Sequence, residues 1–205
     1  MNVNSMNSVF KNALLCHGID ALEMEWRTKC SRARFEALLQ KARGADPTRV
    51  RTLGRTVTRE EMPPGGGARL VRAEPPDGAP DRFLYKEKLA TTDQDGVRVT
   101  LATEYWGAND GQRRTVFRIK DRESFVVHDT IRIDLTRVET NDPRFLDDDE
   151  FAYEAELELV GDRVYDMTVE GLLAYASELA SEFFFSSDLR KSRGDDNQPH
   201  VSAED

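Results

Sequence analysis

The sequence predicts a mainly β (α+β) chain, folded as a closed eight-stranded antiparallel β-barrel with a few flanking helices. Three observations carry that prediction. Eight segments alternate polar and apolar residues with the period of two that half-buried strands show. Turn-forming runs separate several of them: "PPGGG" at 63–67, "EPPDGAPD" at 74–81, "TTDQDG" at 91–96 and "GANDGQ" at 107–112. Helical spacing is confined to two clear stretches. So many strands with so few helices favour closure, which leaves no exposed sheet edge.

The elements follow in order. A short helix is expected near 8–16, then a strand at 20–29 in which Leu22, Met24, Trp26 and Thr28 alternate with Glu23, Glu25, Arg27 and Lys29. "SRARFEALLQKAR" sets Phe35, Leu38, Leu39 and Ala42 on one helical stripe. Strands are then expected at about 48–59, 67–74, 82–90, 96–106, 113–126, 130–139 and 150–160. "TVEGLLAYASELASEFFF" closes the pattern as a helix with a stripe of Val169, Leu172, Leu173, Ala176, Leu179, Ala180 and Phe183, with Thr168 placed to cap it. One barrel domain is expected over 1–185. The acidic tail over 186–205 is poor in apolar residues and is expected to be disordered.

Composition narrows the function classes. The 205 residues suffice for one good core. A net charge of −9 argues against a surface that coats nucleic acid, so any contact with it is expected through a local basic site. No apolar run approaches the roughly 20 residues that span a bilayer, so no membrane partner is expected. The start lacks a signal-peptide cleavage pattern, and an intracellular location is expected, in nucleus, cytoplasm or a viral factory or virion. Cys16 and Cys30 fit neither a disulfide framework nor a zinc pattern, and His17, His128 and His200 lie far apart. Phosphate loop, dinucleotide fingerprint and nucleophile elbow are all missing from the sequence. No segment demands a dimer.

The polar faces carry the sharper signal. "FAYEAELELV" lines up Glu154, Glu156 and Glu158. "FRIKDRESF" lines up Arg118, Lys120, Arg122 and Ser124, and "IRIDLTRV" lines up Arg132, Asp134 and Thr136. Arg98, Thr100 and Glu104 share a face of the fifth strand, Lys86 and Lys88 one of the fourth, and Arg69 lies on the third. An outer face usually mixes signs along each strand, because rows of like charge repel. Strands of a single sign, with apolar faces free to meet helices, suggest a barrel that is charged inside. Clustered carboxylates raise one another's pKa unless a cation joins them, and Mg²⁺ or Mn²⁺ prefers such oxygen ligands. Basic rows suit a line of anionic oxygens. Metal with basic walls is the equipment of phosphoryl transfer.

With these residues in view, "LEMEW" and "YEAELEL" resemble the paired glutamate motifs of the triphosphate tunnel metalloenzymes. "FRIKDRESF" followed by "IRIDLTRV" resembles the basic strands of one branch, the metal-dependent RNA 5′-triphosphatases of fungal, protozoan and DNA-virus mRNA capping. The resemblance spans roughly residues 20 to 160. It implies Glu23, Glu25 and Glu158 as metal ligands, supported by Glu154 and Glu156. It implies Arg69, Lys86, Lys120, Arg122 and Arg132 as phosphate ligands, with Arg98 and Arg118 as further bases; Arg72 and Lys88 are neighbouring alternatives. Asp134 and Thr136 would orient basic side chains, and Glu104 would position the attacking water. The first and last strands should then be neighbours. The implied reaction removes the γ-phosphate of triphosphate-ended RNA as the first step of mRNA capping, with NTP hydrolysis in Mn²⁺. The guanylyltransferase step would come from another polypeptide, a separate partner, or from a domain outside this chain. Two other readings share the lumen: a triphosphatase for tripolyphosphate, nucleotides or thiamine triphosphate, and a module that grips a triphosphate or RNA end without hydrolysis.

Overall fold

A computed structural model describes residues 12–13, 22–64, 68–73, 78, 80–94, 97–142, 151–160 and 169–185. Eight strands close into one barrel: β1 (Leu22–Cys30), β2 (Val50–Met62), β3 (Arg69–Ala73), β4 (Arg82–Gln94), β5 (Val97–Gly107), β6 (Val116–Val127), β7 (Ile131–Thr140) and β8 (Ala152–Leu159). Their spatial order is β1-β5-β4-β3-β2-β6-β7-β8, with β8 returning to β1. Every neighbouring pair is antiparallel. First and last strands are adjacent, as expected. Helix α1 (Arg32–Arg43) follows β1 and α2 (Val169–Phe185) follows β8.

Ser31 starts α1. Its backbone is extended and its hydroxyl accepts from the Arg34 N–H at 3.3 Å, satisfying one of the unpaired donors of a first turn. Leu38 and Ala42 of the predicted stripe are fully buried, and Phe35 and Leu39 pack beside them. In α2, Ala180 and Phe183 face the same core. The expected cap at Thr168, most of the helix at 8–16 and the tail at 186–205 lie outside the described residues.

The apolar core lies between the outer wall of the barrel and the two helices. Met24, Trp26, Leu101, Phe125, Ile133, Leu135, Ala155 and Leu157 point outward into it and meet Leu38, Ala42, Ala180 and Phe183. Strand alternation then forces the other face of the same strands inward. Glu25, Glu60, Arg118, Lys120, Asp134, Thr136, Glu154 and Glu156 are buried there. Small barrels usually fill with apolar side chains; this one is charged within, as the sequence suggests.

Two strand ends differ from expectation. Thr91–Gln94, read as a turn, continues β4 and pairs with Val97–Thr100, after a bulge between Lys88 and Ala90. β2 runs on to Met62. Its bulge falls between Thr52 and Gly54, where φ is +112°, a conformation open to glycine and strained for other residues. The extension past residue 59 matters, because it carries Glu60 into the barrel.

Candidate active site

Register builds the site. On the β1–β8 seam Glu25 stands opposite Glu158 and Arg27 opposite Glu156. On β7–β8 Arg132 faces Glu158, Asp134 faces Glu156 and Thr136 faces Glu154. On β6–β7 Ser124 faces Asp134 and Arg122 faces Thr136. On β2–β6 Glu60 faces Arg118. On β4–β5 Lys86 faces Glu104. Residues directly opposite one another point to the same side of a sheet, so the motif acids and bases share one lumen.

Inside it, cations and carboxylates interlock. Lys86 Nζ lies 2.5 Å from Glu23, 3.4 Å from Glu25 and 3.4 Å from Glu104. Arg27 lies 3.1 Å from Glu25 and 2.5 Å from Glu156. Arg132 joins Glu158 at 2.5 Å and Asp134 at 3.0 Å. Arg122 reaches Asp134 at 3.2 Å and Glu156 at 3.8 Å. Asp134, which contacts both arginines, also accepts from the Ser124 hydroxyl at 2.6 Å. Lys120 meets Glu60 at 2.8 Å, and Arg69 approaches the same carboxylate at 3.7 Å.

Two of these residues were missed from the sequence. Arg27 sits on the charged face of β1, but its place between Glu25 and Glu156 depends on the closing seam. Glu60 lies beyond the expected end of its strand, and its partners come from β3 and β6. One expected residue stays apart. Arg98 faces Arg27 across β1–β5, yet at the barrel end its side chain is 56% exposed and pairs with Asp93 at 3.1 Å. Between the neighbouring alternatives, Arg69 faces the lumen, whereas Arg72 pairs outside with Asp81 at 2.8 Å. Lys86 is buried and Lys88 exposed.

The electrostatics divide the lumen in two. Burial raises the carboxyl pKa of Glu23 and Glu25 and pushes Glu158 up to about 8, despite nearby Lys86, Arg27 and Arg132. Burial works against Glu60 and Glu156 too, but there the surrounding cations win. Lys120 and Arg69 hold Glu60 at about 2, and Arg27, Lys120 and Arg122 hold Glu156 at about 2. At one end burial outweighs the neighbouring cations, and at the other the cations outweigh burial.

Which group fits the end at Glu23, Glu25 and Glu158 follows from its donors. Among the described residues no three carboxylates already converge on one point; Lys86 bridges Glu23 and Glu25, and Arg132 holds Glu158. The donors are carboxylate oxygens only, on adjacent strands in matched register, and burial disfavours their charge. A hard divalent cation suits that set. The Glu154 Oε2 atom is buried with no hydrogen-bond partner, so the lumen also holds unmet acceptor capacity.

Glu60 offers a direct test. Its folded pKa lies below the ordinary 4.5. The stabilisation it confers is therefore complete above about pH 4.5 and fades as pH falls toward 2. Glu60→Gln should lower stability at neutral pH by about 3–5 kcal/mol, because it leaves Lys120 and Arg69 facing no buried carboxylate. It should also flatten the pH dependence of unfolding between pH 4.5 and 2. Parallel unfolding-versus-pH curves for the two proteins would contradict the assignment.

The comparisons with known proteins agree with this architecture. Residues 96–169, from β5 to the start of α2, match the family described as mRNA capping enzyme, beta chain. No curated protein matches the chain in sequence. Among solved structures, the Mimivirus capping enzyme triphosphatase is similar at a TM-score of 0.62 and 15% identity, over 90% of this chain and 99% of that one. The S. pombe Pct1 RNA triphosphatase is similar at 0.60 and 15%, over 93% of this chain and 89% of that one. The RNA triphosphatase domain of a trifunctional mimivirus mRNA capping enzyme gives 0.59 and 17%, over 90% and 96%. The chain shares the fold of these viral and fungal RNA triphosphatases, and from β5 through β8 it matches the family described as mRNA capping enzyme, beta chain.

Proposed function

We propose that this chain is a metal-dependent RNA 5′-triphosphatase, releasing the γ-phosphate of triphosphate-ended RNA and leaving a diphosphate end. The observation that carries the reading is the lumen itself: Glu23, Glu25 and Glu158 on the adjoining strands β1 and β8, beside Lys86, Lys120, Arg122 and Arg132, all on the inner face of one barrel. The family match over 96–169 and the likeness to viral and fungal RNA triphosphatases support it.

Glu23, Glu25 and Glu158 would hold Mg²⁺ or Mn²⁺, with Glu154 and Glu156 supporting it. When bound there, the ion supplies Lewis-acid charge to the phosphate oxygens. Arg69, Lys120, Arg122 and Arg132 would grip the polyphosphate, Arg118 would add charge deeper in the lumen, and Asp134 would keep the row aimed. The Thr136 hydroxyl, expected to share that role, is buried with no hydrogen-bond partner among the described residues. Fixed charges of this kind need no reorganisation as the transition state forms. Lys86 already spans Glu23, Glu25 and Glu104, so it stands where acid cluster and phosphates would meet. Glu104 is more exposed than Glu23, Glu25 or Glu158, with 30% of its side chain accessible. It is therefore the carboxylate best placed to orient an attacking water. Capping would then draw its guanylyltransferase step from another polypeptide or domain, and the chain would act inside a cell or virion.

The test compares triphosphate-ended RNA, ATP and tripolyphosphate with Mg²⁺, with Mn²⁺ and with chelator. RNA turnover that vanishes with chelator is expected. Turnover of tripolyphosphate alone would place the chain among small-substrate triphosphatases. Binding of triphosphates without release of phosphate under any ion would make it a binding module.

A further inference from the structure

Few large apolar side chains are exposed among the described residues: Leu53 at 47%, Tyr105 at 56% and Trp106 at 48%. Single exposed apolar residues need no explanation, but two of these adjoin at one end of the barrel, and they differ in setting. Tyr105 has a structural partner. It stacks on Tyr85 across the strand pair, with ring centroids 5.1 Å apart and planes 4° from parallel. The Tyr85 hydroxyl donates to the Ala108 carbonyl at 2.7 Å. A Cβ at Gly107 would lie 2.8 Å from the Tyr85 ring, so glycine there gives the stack its room. This outer pair braces the end of β5.

Trp106 lies on the other face. Register sets it opposite Leu84, as Glu104 is opposite Lys86. It therefore shares the inward face with Glu104, one side-chain step or about 7 Å farther toward the barrel end. Arg82, two residues before Leu84 on the same alternation, sets its guanidinium 3.9 Å from the centroid of the Trp106 ring. An exposed indole with a cation against it follows directly on the cluster of Glu104, Lys86 and Glu23.

We propose that Trp106 and Arg82 form a stacking platform for the first nucleobases of the RNA, at the Glu104 end of the tunnel. The inference rests on the RNA reading above and deepens it. Every base offers a π-face, so an exposed aromatic with an arginine binds single-stranded RNA with little sequence preference. Arg82 adds cation–π attraction and a charge for the downstream phosphates. Inorganic tripolyphosphate has no base to stack. The platform is thus a specificity device, separating nucleic acid from bare polyphosphate.

The experiment uses the full chain with Mn²⁺ and compares Trp106→Ala, Trp106→Phe and Arg82→Ala on a short triphosphate-ended RNA and on tripolyphosphate. For Trp106→Ala, kcat/KM on RNA should fall about tenfold or more relative to its change on tripolyphosphate, mostly through KM, the scale of losing one base–aromatic stack. Trp106→Phe should recover most of the loss. Equal losses on both substrates, or none on RNA, would overturn the platform and leave the RNA reading standing. A second readout does not need turnover. Trp26 is 5% exposed, so Trp106 dominates iodide-accessible fluorescence. Triphosphate-ended RNA should shield it from iodide and tripolyphosphate should not. If the wild-type chain fails to cleave RNA, the RNA reading falls. Shielding by RNA then still supports the platform, and its absence removes that too.

Discussion

Glu158→Gln is expected to abolish metal-dependent γ-phosphate release and leave the barrel folded. Gln keeps the shape and one oxygen but loses the charge that a hard cation requires. Loss of a single preorganised contact to developing charge already costs about a hundred- to a thousandfold, and loss of a metal ligand should cost at least the larger figure. The fold should tolerate the change. Burial disfavours the Glu158 carboxylate, and Arg132, which it holds, keeps Asp134 at 3.0 Å. Glu25→Gln should behave alike, since register sets it opposite Glu158. Mn²⁺ should raise the thermal midpoint of the wild-type protein and leave Glu158→Gln where it was. Glu36→Gln on α1 should be silent, because Glu36 only pairs with Arg32 on an exposed helix face. Wild-type turnover in Glu158→Gln would refute the metal assignment.

The second large effect concerns the basic row of β6. Lys120→Ala or Arg122→Ala should slow single-turnover release from triphosphate-ended RNA by about a hundredfold at saturating Mg²⁺. Arg122→Lys should recover only part, since lysine keeps the charge but not the planar fork that holds two oxygens at once. The intervening residues supply the control. Asp121 pairs outside with Arg55 at 2.6 Å and with Arg137 at 3.1 Å, and Glu123 pairs with Arg43 at 2.5 Å. Those arginines are substantially exposed, so Asp121→Ala and Glu123→Ala should leave the rate intact and cost stability only modestly. Essential Asp121 and Glu123 with dispensable Lys120 and Arg122 would mean that inside and outside have been exchanged.

What the sequence made legible was largely what a period of two encodes. Alternation in β1, β6, β7 and β8 separated Met24, Phe125 and Leu157 from Glu25, Lys120 and Glu156, and the structure puts the two sets on opposite faces of the wall. Alternation has no information along the barrel axis. Arg98 has the right parity but sits at an end, where water and Asp93 claim it. Trp106 has that parity too, and its exposure emerges only from the three-dimensional ending of β5. Glu60 was hidden for a different reason. Glu60 lies just past the expected strand end at about residue 59, and its cation partners Lys120 and Arg69 come from two other strands and make a buried carboxylate there tolerable.

The seam at β1 has a consequence for how the chain comes to life. Cys30 and Tyr153 are neighbours in space but 123 residues apart in sequence. At a ribosomal pace of about 5–20 residues per second, β1 waits roughly 6–25 s for β8 to be made. Until then β1 lacks one edge partner, and Glu25 lacks the acid that faces it. A contact that distant in sequence also closes slowly. Nascent chains and fragments ending before β8 therefore lack part of the proposed metal-binding set. Catalytic competence should arrive late and abruptly, with the last strand.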